Sequence, residues 1–427
     1  MKLPIPSSLT LRSLCVAALL GLALPVGAQD EGQEGDAPDV GDTVSGKRPP
    51  ELAGEIAEAE ASGFRAKLQR YEGREYEPIV YYGAEALDLT PEFVHEARQS
   101  IELMYKRDYP GAQKAFATLE RNYKGYGIGA VGQVLVWQAL MIENFDFQYE
   151  SQYQRAYQRA RQELEEALQR PGREGWENFL LAGMLGIDSI HAMRHEEYLK
   201  ALNRGYEALK AVRLCKEAAP DFHDTQLGDG LFNYWATVIS MSSKLIPDTG
   251  DKRQKGIEQM MLVEQQAVFL VPPATLGLAF TWIEEGKYRE ALKSSSKLRE
   301  KYPNSVINNL VLGRVQMYLR NYSEAEKIYK EVAAYEPDNM RVHYYLGRLY
   351  SRWGKRDKAD ASFDTYLAFD RVNDYDRAVA YYYKGNLQYR KKNWDKAEEY
   401  YKMAWRLAKL EKAKRKLERV KEKKKGG

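Results

Sequence analysis

Three small constellations in this sequence, and one cysteine, have residue types capable of chemistry. Gly127-Ile128-Gly129-Ala130-Val131-Gly132 spells GxGxxG, a pattern that cradles a dinucleotide pyrophosphate only where a strand enters the turn and a helix leaves it. The preceding residues, 111–124, have helical spacing, so these glycines are expected to end one helix and let the next begin in close contact. His191 and His195 stand four apart with Asp188 three before them, which on a helix puts all three on one face, as a metal site requires. His223 and Asp224 are the other ligand candidates, but there is no HExxH pattern, and hydrogen-bonded or solvated helix histidines are the expected reading. Cys215 continues an apolar helical pattern with Ala208 and Val212 and reads as a small core residue, not a nucleophile. The sequence contains no GxSxG elbow, no phosphate loop and no catalytic pair of carboxylates in a recognisable setting. Accordingly, no catalytic residue, metal or cofactor is expected, and the chain is not expected to be an enzyme.

The elements around these residues are helices. With 427 residues, 44% apolar and 29% charged, the chain has enough large apolar side chains to fold over most of its length. Residues 1–28 have the layout of a secretory signal: basic Lys2 and Arg12, an apolar run over 14–24, then Pro25-Val26-Gly27-Ala28. Cleavage after Ala28 is expected, and Cys15, following Arg12-Ser13-Leu14, does not form a lipoprotein box. Export to the periplasm is expected, with the cell exterior or outer membrane as other destinations. The mature chain then keeps only Cys215, which excludes an intramolecular disulfide. The longest later apolar stretch, 231–246, contains Asn233, three serines and Lys244 and is too short and polar to span a membrane. Residues 29–63 carry ten acids against Lys47 and Arg48, a net of −8, and are expected to form a disordered linker. From 409 to 425 the net is +7, and Leu410, Ala413, Leu417 and Val420 form a narrow stripe predicting a basic terminal helix that caps the fold.

An internal period sets the architecture. Ala291, Ala325, Ala359 and Ala397 are spaced by 34, 34 and 38 residues, and twelve before each lies Ala279, Gly313, Gly347 or Gly385. Four residues after each alanine comes Ser295, Tyr329, Phe363 or Tyr401, and Pro303 and Pro337 close the first two units. Such spacing predicts antiparallel helix pairs in which the small residue faces the alanine across the pair. The pattern resembles the tetratricopeptide repeat (TPR) family: Leu278-Ala279, Leu312-Gly313 and Leu346-Gly347 match its first-helix signature, and Tyr288, Tyr322 and Trp394 its aromatic before the alanine. Arg356 and Lys384 depart from it. Upstream, Tyr109, Ala112, Phe116 and Leu119, and again Ala208, Val212, Cys215 and Pro220, repeat the second-helix signature more loosely. The resemblance implies an all-α, right-handed superhelical solenoid with regular repeats over 272–408 and a divergent repeat region over 64–271. Within the latter, 64–89 is read as an extension packing on the first turn.

For the family, a concave groove lined by first helices would bind a protein or peptide. Carried onto this sequence, the groove residues are Arg314 and Tyr318, then Arg341, Tyr344, Arg348 and Arg352, then Tyr382, Asn386, Tyr389 and Arg390. Arginine and tyrosine without an acid predict an acidic extended partner segment. The acidic arm at 30–60 is a candidate occupant until a partner displaces it. The resulting expectation is a scaffold or adaptor in a bacterial envelope, with no nucleic acid partner. The alternative is an anionic-surface binder acting through the basic tail.

Overall fold

Helix starts in this chain are set by side chains that accept the first free amides. Thr90 accepts from Phe93 N at 3.2 Å, Asp108 from Gly111 N at 2.9 Å, and Asn373 from Asp376 N at 2.8 Å. Pro91 and Pro110 sit in the first turns of their helices, where a missing N–H is not needed. The computed structural model describes residues 84–425 apart from 171–173, 196 and 243–249, together with 70–71 and 74–75. The expected signal and acidic linker lie outside the described residues.

Among the described residues there are seventeen α-helices. The N-terminal region comprises α1 (Pro91–Tyr105), α2 (Tyr109–Asn122), α3 (Ile128–Asn144), α4 (Glu150–Ala167), α5 (Glu174–Arg194), α6 (Tyr198–Ala218), α7 (Gln226–Ser242) and α8 (Arg253–Gln266). The regular units are α9 (Val271–Glu284) with α10 (Tyr288–Lys301), α11 (Val306–Tyr318) with α12 (Tyr322–Tyr335), α13 (Met340–Trp353) with α14 (Arg356–Leu367), and α15 (Asp374–Arg390) with α16 (Trp394–Ala408). α17 (Glu411–Lys425) follows. Each helix packs on the next, giving an all-α solenoid. Among the described residues, a two-rung antiparallel pair, Arg70–Tyr71 against Arg74–Glu75, departs from this. Of the expected 64–89 extension, Ala84, Leu87 and Leu89 are buried in the N-terminal core. The 38-residue interval before the last alanine is explained by α15, which starts 11 residues before Gly385, where α13 starts 7 before Gly347.

Size complementarity holds each unit together, in a form that corrects the expected pairing. The ring four residues beyond the alanine, and not the alanine itself, lies over the glycine. A Cβ built on Gly347 would lie 2.7 Å from the Phe363 ring, and one on Gly385 would lie 2.5 Å from Tyr401; Gly313 meets Tyr329 in the same way. Where the first helix carries Ala279, the second carries the small Ser295, and both are fully buried. Bulk on one helix is thus matched by its absence on the other. Lys384, which replaces an expected leucine, is buried but donates to Asp360 at 2.6 Å and Asp364 at 2.7 Å on α14, so its charge is paired across the unit boundary.

α17 closes the C-terminal end as expected. Leu410, Ala413 and Val420 are fully buried, Leu417 packs partly against the same core, and Lys424 donates to Asp395 and Glu398 of α16. Exposing the leucine and valine alone costs about 3–5 kcal/mol. Truncation after Ala408 is therefore expected to lower the melting temperature by several degrees in a thermal scan, whereas an unchanged value would exclude a capping role. Gly347→Ala drives a methyl into the Phe363 ring and is expected to destabilise by about 1–3 kcal/mol in urea titration.

Candidate functional site

Five of the ten residues expected along the groove, Arg314, Arg341, Tyr344, Arg348 and Tyr382, are buried. The tyrosines three before the glycines point between helices. Tyr344 touches Phe363 and Tyr366 of its own second helix and Tyr383 of the next unit, and Tyr382 touches Tyr401. The buried arginines are held internally. The Arg348 guanidinium lies 4.5 Å over the Tyr383 ring and donates to the Tyr344 hydroxyl at 3.1 Å. Arg314 lies over Tyr318, and Arg341 lies 4.1 Å over Phe145 and 3.7 Å from Asp376. The other five reach the surface wholly or in part. Arg352 and Arg390 are exposed, while Tyr318, Asn386 and Tyr389 are half-buried. They form a strip across three consecutive first helices, in which Arg352 lies 5.0 Å over the Tyr318 ring and Arg390 reaches the Ser351 carbonyl at 3.5 Å. Asn386 accepts from the Tyr401 hydroxyl at 2.8 Å.

The histidine pair meets Glu150 instead of Asp188. His191 Nε2 lies 2.9 Å and His195 Nε2 3.3 Å from Glu150 Oε2, and His191 Nδ1 faces Gln138 Oε1 at 3.2 Å. The three residues offer ligand atoms within 4.8 Å of one another. Burial lowers the proton affinity of His191, only partly offset by Glu150, and Arg194, with its guanidinium 4.5 Å over the Phe147 ring, adds to the lowering. Burial raises the Glu150 carboxyl, but hydrogen bonds from Gln154 and the histidines leave it below the usual range. The arrangement is a hydrogen-bonded knot with a cation beside it, which opposes a further positive charge. Asp188 instead accepts from Tyr153 and Arg204, and Asp224 accepts from the amides of Val268, Phe269 and Leu270 at 2.7–2.9 Å, fixing the entry to α9. The GxGxxG glycines follow a helix, as expected. Gly127 has φ +70° at the start of α3, and Gly129 and Gly132 press against α2 at Phe116. Cys215 is fully buried, and burial pushes its thiol up to about 12.

Two features were missed in the sequence. The first is a seam where the solenoid curls back on itself. Arg107 binds Glu143 at 2.7 Å and also Glu336, 229 residues away, and Asn339 donates to the Glu143 carbonyl at 2.7 Å. Nearby, Tyr302 donates to Glu102 at 2.7 Å and Arg371 binds Asp146 at 2.6 Å. The second is a cavity of about 400 Å³ inside this turn, lined mainly by apolar side chains of α1, α3, α5, α7, α9 and α11. On the outside, Leu199, Leu202 and Tyr206 of α6 form an exposed apolar stripe. Its spacing of three and four among charged residues was readable in advance.

Two family models described as Tetratricopeptide repeat match the sequence, over residues 274–305 and 316–380. The chain carries tetratricopeptide repeats. The matched segments begin in α9 and end in α15, and the second of them contains the glycine–aromatic pair of the third unit, Gly347 with Phe363. Similar solved structures include a tetratricopeptide repeat protein from Parabacteroides merdae, 16% identical, covering 66% of this chain and 98% of its own with a TM-score of 0.42. The human IFIT1 dimer with PPP-AAAA is 15% identical, covers 79% and 87%, and has a TM-score of 0.48. The C-terminal part of a tetratricopeptide repeat protein from Cytophaga hutchinsonii is 17% identical, covers 65% and 96%, and has a TM-score of 0.30. No curated protein sequence matches significantly.

Asp224 gives a pH signature for the joint between the divergent region and the tetratricopeptide repeats. Burial raises its carboxyl from the ordinary 3.8 to about 6, although the three amides pull the other way. The folded state therefore holds this proton more tightly than the unfolded chain, and the group disfavours folding progressively as pH rises from about 4 to about 6, with no further change above. In Asp224→Asn that pH dependence is lost. Relative to the variant, the native chain is expected to lose about 2–3 kcal/mol of stability across the window, measured by denaturant titration at each pH.

Proposed function

We propose that this protein is a non-catalytic protein-interaction scaffold of the cell envelope, and that it holds an acidic, extended partner segment along the strip formed by Tyr318, Arg352, Asn386, Tyr389 and Arg390. Tetratricopeptide repeats are protein-binding modules, and among the described residues no helix is long and apolar enough to cross a membrane. The observation that carries the finer reading is the continuity of the strip: two exposed guanidinium groups on successive first helices, flanked by tyrosines, with no acid among the positions. Guanidinium pairs carboxylate in a fork geometry, and a tyrosine offers rigid area with a hydrogen-bonding tip. The signal-like residues 1–28 support export, with the periplasm as destination. A second reading, binding of an anionic surface through α17, is supported by the way its apolar stripe docks inward and leaves Lys414, Arg415, Arg419, Lys421 and Lys423 exposed.

Because Arg314 and Arg348 are buried, reversing their charge tests folding more than binding. Arg352→Glu with Arg390→Glu is the informative pair. The double variant is expected to keep native helix content and to bind a decaglutamate peptide at least tenfold more weakly in calorimetry, with native affinity falling as salt rises. Unchanged affinity in the folded double variant excludes the strip. Loss of binding only on removal of α17 favours the second reading.

A further inference from the structure

The cavity enclosed by the curled solenoid lies apart from the surface strip and calls for a different ligand. Its walls are aliphatic and aromatic, with Leu135, Phe179, Ile187, Leu231, Pro273 and Leu276 among the lining side chains. Among the described residues three acidic or basic side chains reach it, Arg107, Glu143 and Asp224, and all are engaged. Arg107 is bound to Glu143 and Glu336, and Asp224 to three backbone amides. That leaves no charge to meet a carboxylate, a phosphate or an ammonium group, and burying one unpaired is strongly unfavourable.

Two of the lining residues each carry a covered side-chain atom that has no hydrogen-bond partner among the described residues. Gln138, 2% exposed, has its Nε2 without a hydrogen-bond partner, and Asn308, 1% exposed, has its Oδ1 without one. One is a donor and the other an acceptor, and a hydroxyl can meet either. Two glycines of α5, Gly183 and Gly186, line the same space, and a Cβ built on either meets no atom within 4 Å. Packing does not require them, and their missing side chains are what keep this wall open.

The size and chemistry of the cavity select the occupant. About 400 Å³ falls at the small end of ligand pockets and suits a small molecule. An extended peptide brings an N–H and a C=O with every residue, and a wall offering two spare amide atoms leaves most of them unpaired. A chain of methylenes carries no such groups. We propose that the cavity is a binding site for an uncharged single-chain amphiphile, a long alkyl or acyl chain bearing a hydroxyl.

Calorimetry on the full chain with 1-dodecanol, dodecanoate at pH 8 and a ten-residue leucine–alanine peptide tests this. The expected result is one equivalent of dodecanol, affinity rising about fourfold per methylene from nonanol to dodecanol, and at least tenfold weaker binding of dodecanoate. Gly183→Leu with Gly186→Leu should fill the space, weakening dodecanol at least tenfold while leaving the melting temperature equal or higher, since leucine favours helix over glycine. If that pair does not fold, Gly183→Ala with Gly186→Ala is expected to weaken dodecanol at least threefold with no loss of melting temperature. No dodecanol binding by the full chain overturns the proposal, as does undiminished binding by a folded glycine variant or preference for the peptide. Arg352→Glu with Arg390→Glu should leave dodecanol binding unchanged, which keeps this outcome separate from that of the strip.

Discussion

The closed form of this solenoid depends on one buried carboxylate. Glu143, at the end of α3, is almost fully buried and accepts from Arg107 Nε at 2.7 Å and Tyr109 Oη at 2.9 Å, while its carbonyl accepts from Asn339 on the far side of the seam. Burial raises its pKa, and Arg107 and Tyr109 oppose that rise. Such a group is unfavourable to bury alone and strongly destabilising to break once paired. Arg107 also binds Glu336, so the helices that begin the chain are tied to the turn between α12 and α13. Together with the hydrogen bond from Tyr302 to Glu102, that tie sets α1 and α11 on the walls of one cavity.

Curling also changes what the inner side chains do. In an open groove Arg341 would meet solvent; here it lies over Phe145, at the end of α3, and within reach of Asp376. Arg348 and Arg314 rest on tyrosines of their own and neighbouring helices, where an aromatic face replaces part of the lost hydration. Their chemistry goes into holding first helices together. Arg352, at the end of α13, and Arg390, at the end of α15, stay in water and keep their charge available for binding.

Most of the regular region was legible because its signals are local. The 34-residue spacing, the twelve residues from Gly347 to Ala359 and the stripe Leu410, Ala413, Leu417, Val420 each lie within one or two helices. The same holds for the GxGxxG glycines, since the helical pattern ahead of them excludes a nucleotide turn. What was not legible is set by contacts between helices that the repeat pattern does not relate, from about 40 residues apart for Glu150 with His191 to 229 for Arg107 with Glu336. Nothing in the spacing of Arg107, Glu143 and Glu336 announces that they meet, so the burial of Arg341 could not be derived from its position in the repeat. The histidine cluster failed for the same reason: Asp188 has the right spacing on the helix, but the turn before α4 delivers Glu150 instead.

Glycine serves two opposite ends in this chain, and the contrast separates structure from site. At Gly313, Gly347 and Gly385 the missing side chain is replaced by a ring from the second helix, so the space is filled and the backbone entropy of glycine is offset by aromatic burial. At Gly183 and Gly186 nothing replaces it. Each of these glycines weakens α5 by up to about 1 kcal/mol relative to alanine, and the apolar atoms around the gap lose their packing partners. The seam is held by polar pairs such as Arg107 with Glu143 and Arg371 with Asp146, while the space beside it is lined mainly by apolar side chains, with Gln138 and Asn308 each keeping one unsatisfied atom. The strain of keeping that space open therefore falls on the walls of the cavity and not on the contacts that close it, and filling the cavity would relieve it without opening the seam.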